Sequence, residues 1–170
     1  LPIIYANLVG GQDELVFDGG SFAMDRHGEI VCRLPQFKAD LALIKIGHTP
    51  GMPVEFFTGK IDEHHDQEWE IYTALCLGLK DYVEKNGFSG VVLGLSGGID
   101  SALTAAICAD ALGPERVEAI MMPSQYTSPD SLEDAREGAE NIGIRLVSIA
   151  IDNIFDTFRS ELADEFHGLA

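Results

Sequence analysis

The chain has 170 residues, with 11 Lys and Arg against 28 Asp and Glu, and a formal charge of −17. That length suits one domain or two small pieces, and a hydrophobic fraction of 46% excludes a disordered chain. No apolar run approaches the roughly 20 residues that span a bilayer. Phosphate backbones and anionic lipid repel such a polyanion, which argues against nucleic-acid and membrane partners. Cys32, Cys76 and Cys108 are widely spaced and odd in number. They make neither a metal pair nor a disulfide framework, and they suit a reducing cytoplasm. No signal-peptide pattern, internal repeat or low-complexity tract is visible. Both ends read as cut, so the expectation is an internal piece of a longer polypeptide.

Residues 1–46 read as β structure. Residues 1–6 suggest a strand, residues 21–34 a hairpin turning at Arg26-His27-Gly28, and residues 40–46 a further strand. Gly47, Pro50, Gly51, Pro53 and Gly59 then mark a linker over 47–64. From Asp66 the period changes, and Trp69, Tyr72, Cys76, Leu79 and Val83 fall on one helical face, with Gly87 as the stop. Trp69 and Tyr72 are expected on the buried side. Residues 91–95 read as a buried strand and 99–112 as a helix ended by Gly113-Pro114. Residues 117–121 form the next strand. Ser128-Pro129-Asp130 opens a helix with an N-cap, Pro at its first position and an acid in its first turn. Residues 144–149 read as a third strand, and a helix follows from about Asn153. This β-α-β-α-β-α order predicts an α/β fold with a parallel sheet and right-handed crossovers.

The run Gly94-Leu95-Ser96-Gly97-Gly98-Ile99-Asp100-Ser101 stands between the first of these strands and an Ala-rich helix. Open α/β sheets bind ligands at this carboxyl end of a strand. Gly97 and Gly98 let the main chain approach an anion, and loop and first-turn N–H groups can point at phosphate oxygens. Ser96 and Ser101 add hydroxyls. Hydrogen bonds to a charged partner contribute roughly 1.5–3 kcal/mol each, so converging donors can hold a pyrophosphate without lysine. Ala102, Ala105, Ala106 and Ala109 keep the helix thin enough to pack close to the sheet. A carboxylate at Asp100 repels phosphate unless a cation lies between, which implies Mg²⁺. The plainer alternative is a tight turn whose acid favours the helix N-terminus. Two other phosphate motifs are excluded. No lysine follows Lys85, as a Gly-Lys-Ser/Thr loop requires. Position 96 is Ser, and the second strand ends in Met121-Met122-Pro123 instead of the acid that a dinucleotide fingerprint needs.

Ser-Gly-Gly-Ile-Asp-Ser resembles the signature of the PP-loop ATP pyrophosphatases. These enzymes cleave ATP between the α and β phosphates to activate a carboxyl or carbonyl oxygen as an adenylate. Met122-Pro123-Ser124-Gln125-Tyr126-Thr127-Ser128, with Asp134-Ala135 and residues 146–151, resembles the second strand and following helix of NAD synthetases. Residues 7–21, with Gly10-Gly11-Gln12-Asp13-Glu14 at their centre, resemble late strands of the nitrilase-like glutaminase domain fused to such enzymes. GMP and asparagine synthetases share the loop but carry other amidotransferase modules.

The resemblance therefore implies part of a glutamine-dependent NAD synthetase. Residues 1–46 would end a nitrilase-like α/β sandwich, 47–64 would be the linker, and 65–170 would start a synthetase domain. The fold implied there is a doubly wound parallel sheet of the PP-loop, adenine nucleotide alpha hydrolase-like type. The intact enzyme would draw ammonia from glutamine, adenylylate deamido-NAD with ATP, and release NAD. ATP would bind Gly94, Leu95, Ser96, Gly97, Gly98, Ile99, Asp100 and Ser101, with Asp100 as the Mg²⁺ ligand. Met121 and Met122 would line the adenosine side, although methionines there can be core filler. The glutaminase Cys, Glu and Lys are expected upstream, so no catalytic residue is assigned here and Cys32 is assigned to packing. A cytoplasmic homo-oligomer is implied. The alternatives are another PP-loop enzyme, such as a tRNA thiolase or a different amidotransferase synthetase, and a nucleotide-binding module without turnover. A thiolase would want a basic surface and a cysteine pair, and neither is present.

Other features have plain readings. The Gly10-Gly11-Gln12-Asp13-Glu14 run reads as a loop or as the border of a glutamine pocket or ammonia exit. His64-His65 lacks metal-ligand spacing, and Asp130, Glu133, Asp134, Glu137 and Glu140 read as a solvated helix face. Surface charge beyond about 8–10 Å is screened at physiological salt, so loop amides and a metal at contact should outweigh the acidic background for an anionic ligand.

Overall fold

The computed structural model describes residues 1–47, 50–52, 54–56 and 59–167. Pro53 of the expected linker and the terminal residues 168–170 lie outside that set. The chain divides into two compact units, Leu1–Asn86 and Gly87–Ala170.

In the first unit β1 (Ile3–Tyr5), β4 (Phe22–Met24) and β5 (Ile30–Arg33) make an antiparallel sheet in the order β1-β4-β5. The expected hairpin is β4–β5. Its turn is held by the Asp25 carboxylate, which accepts the N–H groups of His27 (2.7 Å) and Glu29 (3.0 Å). These two backbone N–H groups, Glu29 foremost, hold the Asp25 carboxyl below its ordinary value. β2 (Val9–Gln12) and β3 (Leu15–Asp18) form a second hairpin, so in the Gly10–Glu14 run residues 10–12 are strand and Asp13-Glu14 are the turn.

Residues 40–46 correct the sequence reading, because only Ile46 and Gly47 are strand (β6), paired with β7 (Glu55–Phe56). The alternation in 41–44 is nonetheless real. Leu41 and Leu43 are 84% and 91% exposed, while Ala42 and Ile44 pack on the core of Ala23, Val31 and Cys32. This segment therefore has the two faces of a strand without a strand's hydrogen bonds. Part of the expected linker is also built into the sheet. Gly59 N–H donates to Val31 O, Arg33 N–H to Lys60 O, and Asp62 N–H to Arg33 O.

Helix α1 (Gln67–Lys85) starts at the N-cap Asp66, whose side chain accepts the Trp69 N–H, and stops at Asn86. Val83 on its apolar face is buried, and Tyr72, Cys76 and Leu79 are half-buried. Trp69 is exposed at the rim, against expectation, because it lies in the first turn, where its ring stacks on His65 (3.7 Å) and meets Phe37 (5.8 Å). By its contacts α1 belongs to the first unit, although the sequence boundary falls before it at residue 65. The cause is a close seating on β2, where a Cβ at Gly11 would stand 3.1 Å from Gly78 Cα. Across that seam Gly11 N–H donates to Asp81 Oδ2 (2.8 Å), and Lys85 Nζ donates to Gly11 O (2.6 Å) and pairs with Asp81 (2.9 Å).

In the second unit β8 (Val91–Gly94), β9 (Val117–Met121) and β10 (Arg145–Ser148) are parallel, in the order β10-β9-β8. α2 (Ile99–Leu112) and α3 (Pro129–Ile142) pack against each other and the sheet, and α4 (Asp152–Leu162) follows β10. Val117, Ala119 and Met121 of β9 are buried, as are Ala105 and Ala109 of α2 and Ala135 and Ala139 of α3. Small side chains on both helices permit the close approach. β8 is an edge strand among the described residues, and Val92 is 64% exposed. The acids of α3 at 130, 133, 134, 137 and 140 are solvated, as expected. No described helix is long and apolar enough to cross a membrane.

The Lys85 ammonium, then the Gly11 N–H, hold the Asp81 carboxyl below its ordinary value against the opposing effect of burial. Its contribution to stability is therefore full above the unfolded carboxyl value of about 3.9, and it is lost as pH falls through the lowered folded value. In urea titrations at pH 7, Asp81→Ala should cost about 1.5–3 kcal/mol. The gap to wild type should close on acidification below about pH 4.

Candidate functional site

The structure turns the chain from β8 into α2 within residues 95–98. Leu95 is 3% exposed and donates its N–H to Ile120 O (2.9 Å), which extends the β8–β9 ladder by one residue and anchors the turn. Gly97 has φ +81°, and a Cβ built on it would collide with the main-chain carbonyl of Ser131 in the first turn of α3. This glycine is thus required twice, by its conformation and by the approach of α3. Gly98 is the N-cap of α2 and has ordinary extended geometry, φ −84°.

The two serines brace the loop from inside. Ser101 Oγ donates to Gly98 O (2.9 Å) and accepts the Ser96 N–H (3.2 Å). Ser96 Oγ lies 3.2 Å from Ser101 Oγ and accepts the Gly98 N–H (3.3 Å). Through these bonds Ser101 braces the loop from within. Ala102 N–H takes Gly98 O and starts the helix ladder. No side chain caps α2, so the N–H groups of its first turn, at residues 99–101, have no intrahelical acceptor. Together with the helix dipole they make the opening of α2 a place for an anion.

Ser96, Gly98, Ile99 and Asp100 are exposed, and the Ile99 side chain (79%) does not fold back over the loop. Beside it, at the carboxyl ends of β8 and β9, is a cavity of about 250 Å³. Gly94, Leu95, Ser96, Met121 and Met122, all expected at the nucleotide, line it, whereas residues 97–101 do not. Met121 is 3% exposed and serves the core as well, while Met122 is 54% exposed and forms a flexible wall. Ile120, Pro123, Thr127 and Leu132 complete the lining and were not singled out from sequence. The signal for Pro123 and Thr127 was their position directly after β9, beside the loop-bearing strand. Leu132 gave no such signal. The volume lies just under the roughly 300–1,000 Å³ that encloses a whole ligand. It suits the base end of a nucleotide whose phosphates lie outside, over the loop.

Basic side chains are elsewhere. The second unit has four, Arg116, Arg136, Arg145 and Arg159. Arg116 donates to the carbonyls of Phe88 and Ser89, and Arg145 pairs with Glu118 (2.9 Å), all at the amino ends of the strands. Arg116 and Arg145 therefore lie away from the opening of α2. Among the described residues no three His, Cys, Asp or Glu side chains gather to hold a metal, and His64-His65 is no exception. A single exposed acid at Asp100 fits Mg²⁺, which takes one or two carboxylates and completes its shell from phosphate and water.

Away from the site, Cys32 is buried in the first unit's core, as assigned. Burial pushes the Cys108 thiol up. The first unit has its own small cavity of about 260 Å³ beside Gly11, Gln12 and Lys85.

The chain is similar to proteins of one family. The family described as NAD synthase matches residues 71–170. The chain is 46% identical to a glutamine-dependent NAD(+) synthetase of Synechocystis, over 98% of the chain and 29% of that protein. It is 41% identical to one of Aquifex aeolicus, over 96% of the chain and 34% of that protein. The structure of a glutamine-dependent NAD+ synthetase from Acinetobacter baumannii, in complex with ADP, matches all of the chain and 32% of that protein with TM-score 0.93 at 44% identity. The chain thus spans about a third of the length of these relatives.

Loop geometry separates the two glycines. Gly97→Ala should weaken ATP binding by tenfold or more, since neither its φ nor Ser131 can accept a methyl group. Gly98→Ala, whose Cβ would meet Ser96 Oγ at 3.4 Å, should bind within a few-fold of wild type by isothermal titration.

Proposed function

The chain belongs to the NAD synthase family, and from that membership we propose that the whole protein converts deamido-NAD to NAD at the expense of ATP, with glutamine-derived ammonia as the nitrogen donor. The observation that carries this reading is the uncapped opening of α2 behind Gly97, beside a base-sized cavity at the carboxyl ends of β8 and β9.

The nicotinate carboxylate attacks the α-phosphorus of ATP, the α–β bridging bond breaks, and pyrophosphate leaves. Ammonia then adds to the acyl carbon of the adenylate. AMP departs, a proton is released, and the amide of NAD remains. In this scheme the first-turn N–H groups of α2 hold the pyrophosphate oxygens and are already aimed before charge develops there. Ser96 and Ser101 keep them aimed, and Met121 and Met122 flank the base. When Mg²⁺ is bound it neutralises phosphate charge, and Asp100 is the side chain that would hold it. Glutamine hydrolysis belongs to the nitrilase-like portion, of which residues 1–46 would be the closing strands. A homo-oligomer in a reducing cytoplasm completes the proposal, and the free Cys32, Cys76 and Cys108 suit that compartment.

Full-length protein given deamido-NAD, ATP and ammonia should yield NAD, AMP and pyrophosphate. Formation of ADP would reject adenylation, and ATP binding without product would leave a nucleotide-binding module. Asp100→Ala should retain the fold by circular dichroism and lose about 10²–10³-fold in kcat, the order expected for one well-placed electrostatic group. Excess chelator should abolish turnover and weaken ATP binding; equal binding with and without chelator would reject the metal role of Asp100.

A further inference from the structure

The outer wall of the nucleotide cavity is a turn held both from within and from α4. After β9 the chain runs through Pro123, which lines the cavity, to Thr127, which lines it again. The turn closes on itself: Thr127 N–H donates to Ser124 O (2.9 Å), Ser124 N–H to Thr127 Oγ1 (3.0 Å) and Tyr126 N–H to Ser124 Oγ (3.3 Å). Gln125 and Tyr126, at its tip, are exposed, Tyr126 by 72%.

Two hydrogen bonds tie this turn to the segment beyond β10. Ile151 N–H donates to Pro123 O (3.0 Å), continuing the β9–β10 ladder past its last paired residues. Gln125 N–H donates to the Asp152 carboxylate at 2.7 Å. One turn of helix further on, the Phe155 ring meets the Tyr126 ring edge-on, with centroids 5.7 Å apart. α4 therefore grips the tip of the turn through one carboxylate and one ring.

We propose that Asp152 is a positioning residue for the nucleotide cavity, fixing the 123–127 turn as its wall, an assignment that rests on the reading of that cavity as an ATP site. Asp152 is the first residue of α4, where an acid favours the helix dipole. A dipole role needs the negative charge. A tether needs only an oxygen that accepts the Gln125 N–H, which an asparagine also offers. The two roles therefore part company at one substitution. Losing the tether lowers the fraction of molecules whose wall is in place, and apparent affinity falls by that fraction.

The test uses the full-length enzyme. Asp152→Ala should raise both KM for ATP and the Kd of a non-hydrolysable ATP analogue about tenfold, with kcat within about twofold of wild type. Asp152→Asn should stay within about threefold in both. Tyr126→Ala, a change at an exposed tip that leaves α4 whole, should shift the same constants in the same direction by a few-fold. Unchanged ATP affinity in Asp152→Ala, or equal impairment in Asp152→Asn and Asp152→Ala, would overturn the proposal. The affinity arm reads Asp152 whether or not NAD forms, so absence of NAD from the wild type would remove the proposed reaction and leave the tether to be judged by binding.

Discussion

The second unit is organised around one close approach, the main chain of Gly97 against the carbonyl of Ser131. With any side chain at 97, α3 and the loop could not occupy their places together. The loop then could not turn in four residues from an anchored strand end to an uncapped helix. Because the turn is so tight, the serine hydroxyls reach the neighbouring main chain and lock it. The first-turn N–H groups of α2 stay outside that internal network. An anion placed there would meet donors whose orientation is set by packing, in a unit whose Arg116 and Arg145 are engaged at the other end of the sheet.

The first unit depends on a similar contact. β2 and α1 come within touching distance because glycines face each other at 11 and 78, and the Asp81–Lys85 pair closes the seam by hydrogen bonding both sides of the Gly11 peptide. This gives α1 two allegiances. Its packing joins it to the strands before it, while the family match begins within it at residue 71. The helix therefore belongs to one unit by contact and to the other by descent.

Legibility in the sequence followed the range of the interactions involved. Local signals were reliable. The Asp66 and Ser128 N-caps, the Gly113 stop, the β4–β5 hairpin and the three parallel strands stand where the residues put them. The site was legible because its motif is contiguous, from Gly94 to Ser101, and because a parallel sheet brings the end of the next strand beside it. Partners were not legible. Alternation in residues 40–46 reports two faces and is silent on whether a neighbouring strand will pair with them. Trp69 reads as core from its period, and only the position of Phe37 and His65 keeps it at the rim. Leu132 enters the cavity from α3 through tertiary packing alone.

The lysine-free stretch after Lys85 has a chemical consequence of its own. Where an ε-amine holds a nucleotide's phosphates, acyl donors, cyanate and reducing sugars can silence the site by capping that nitrogen. Peptide nitrogens at the mouth of a helix offer no such handle. From residue 86 to residue 170 the sequence holds no ε-amine for such reagents to cap.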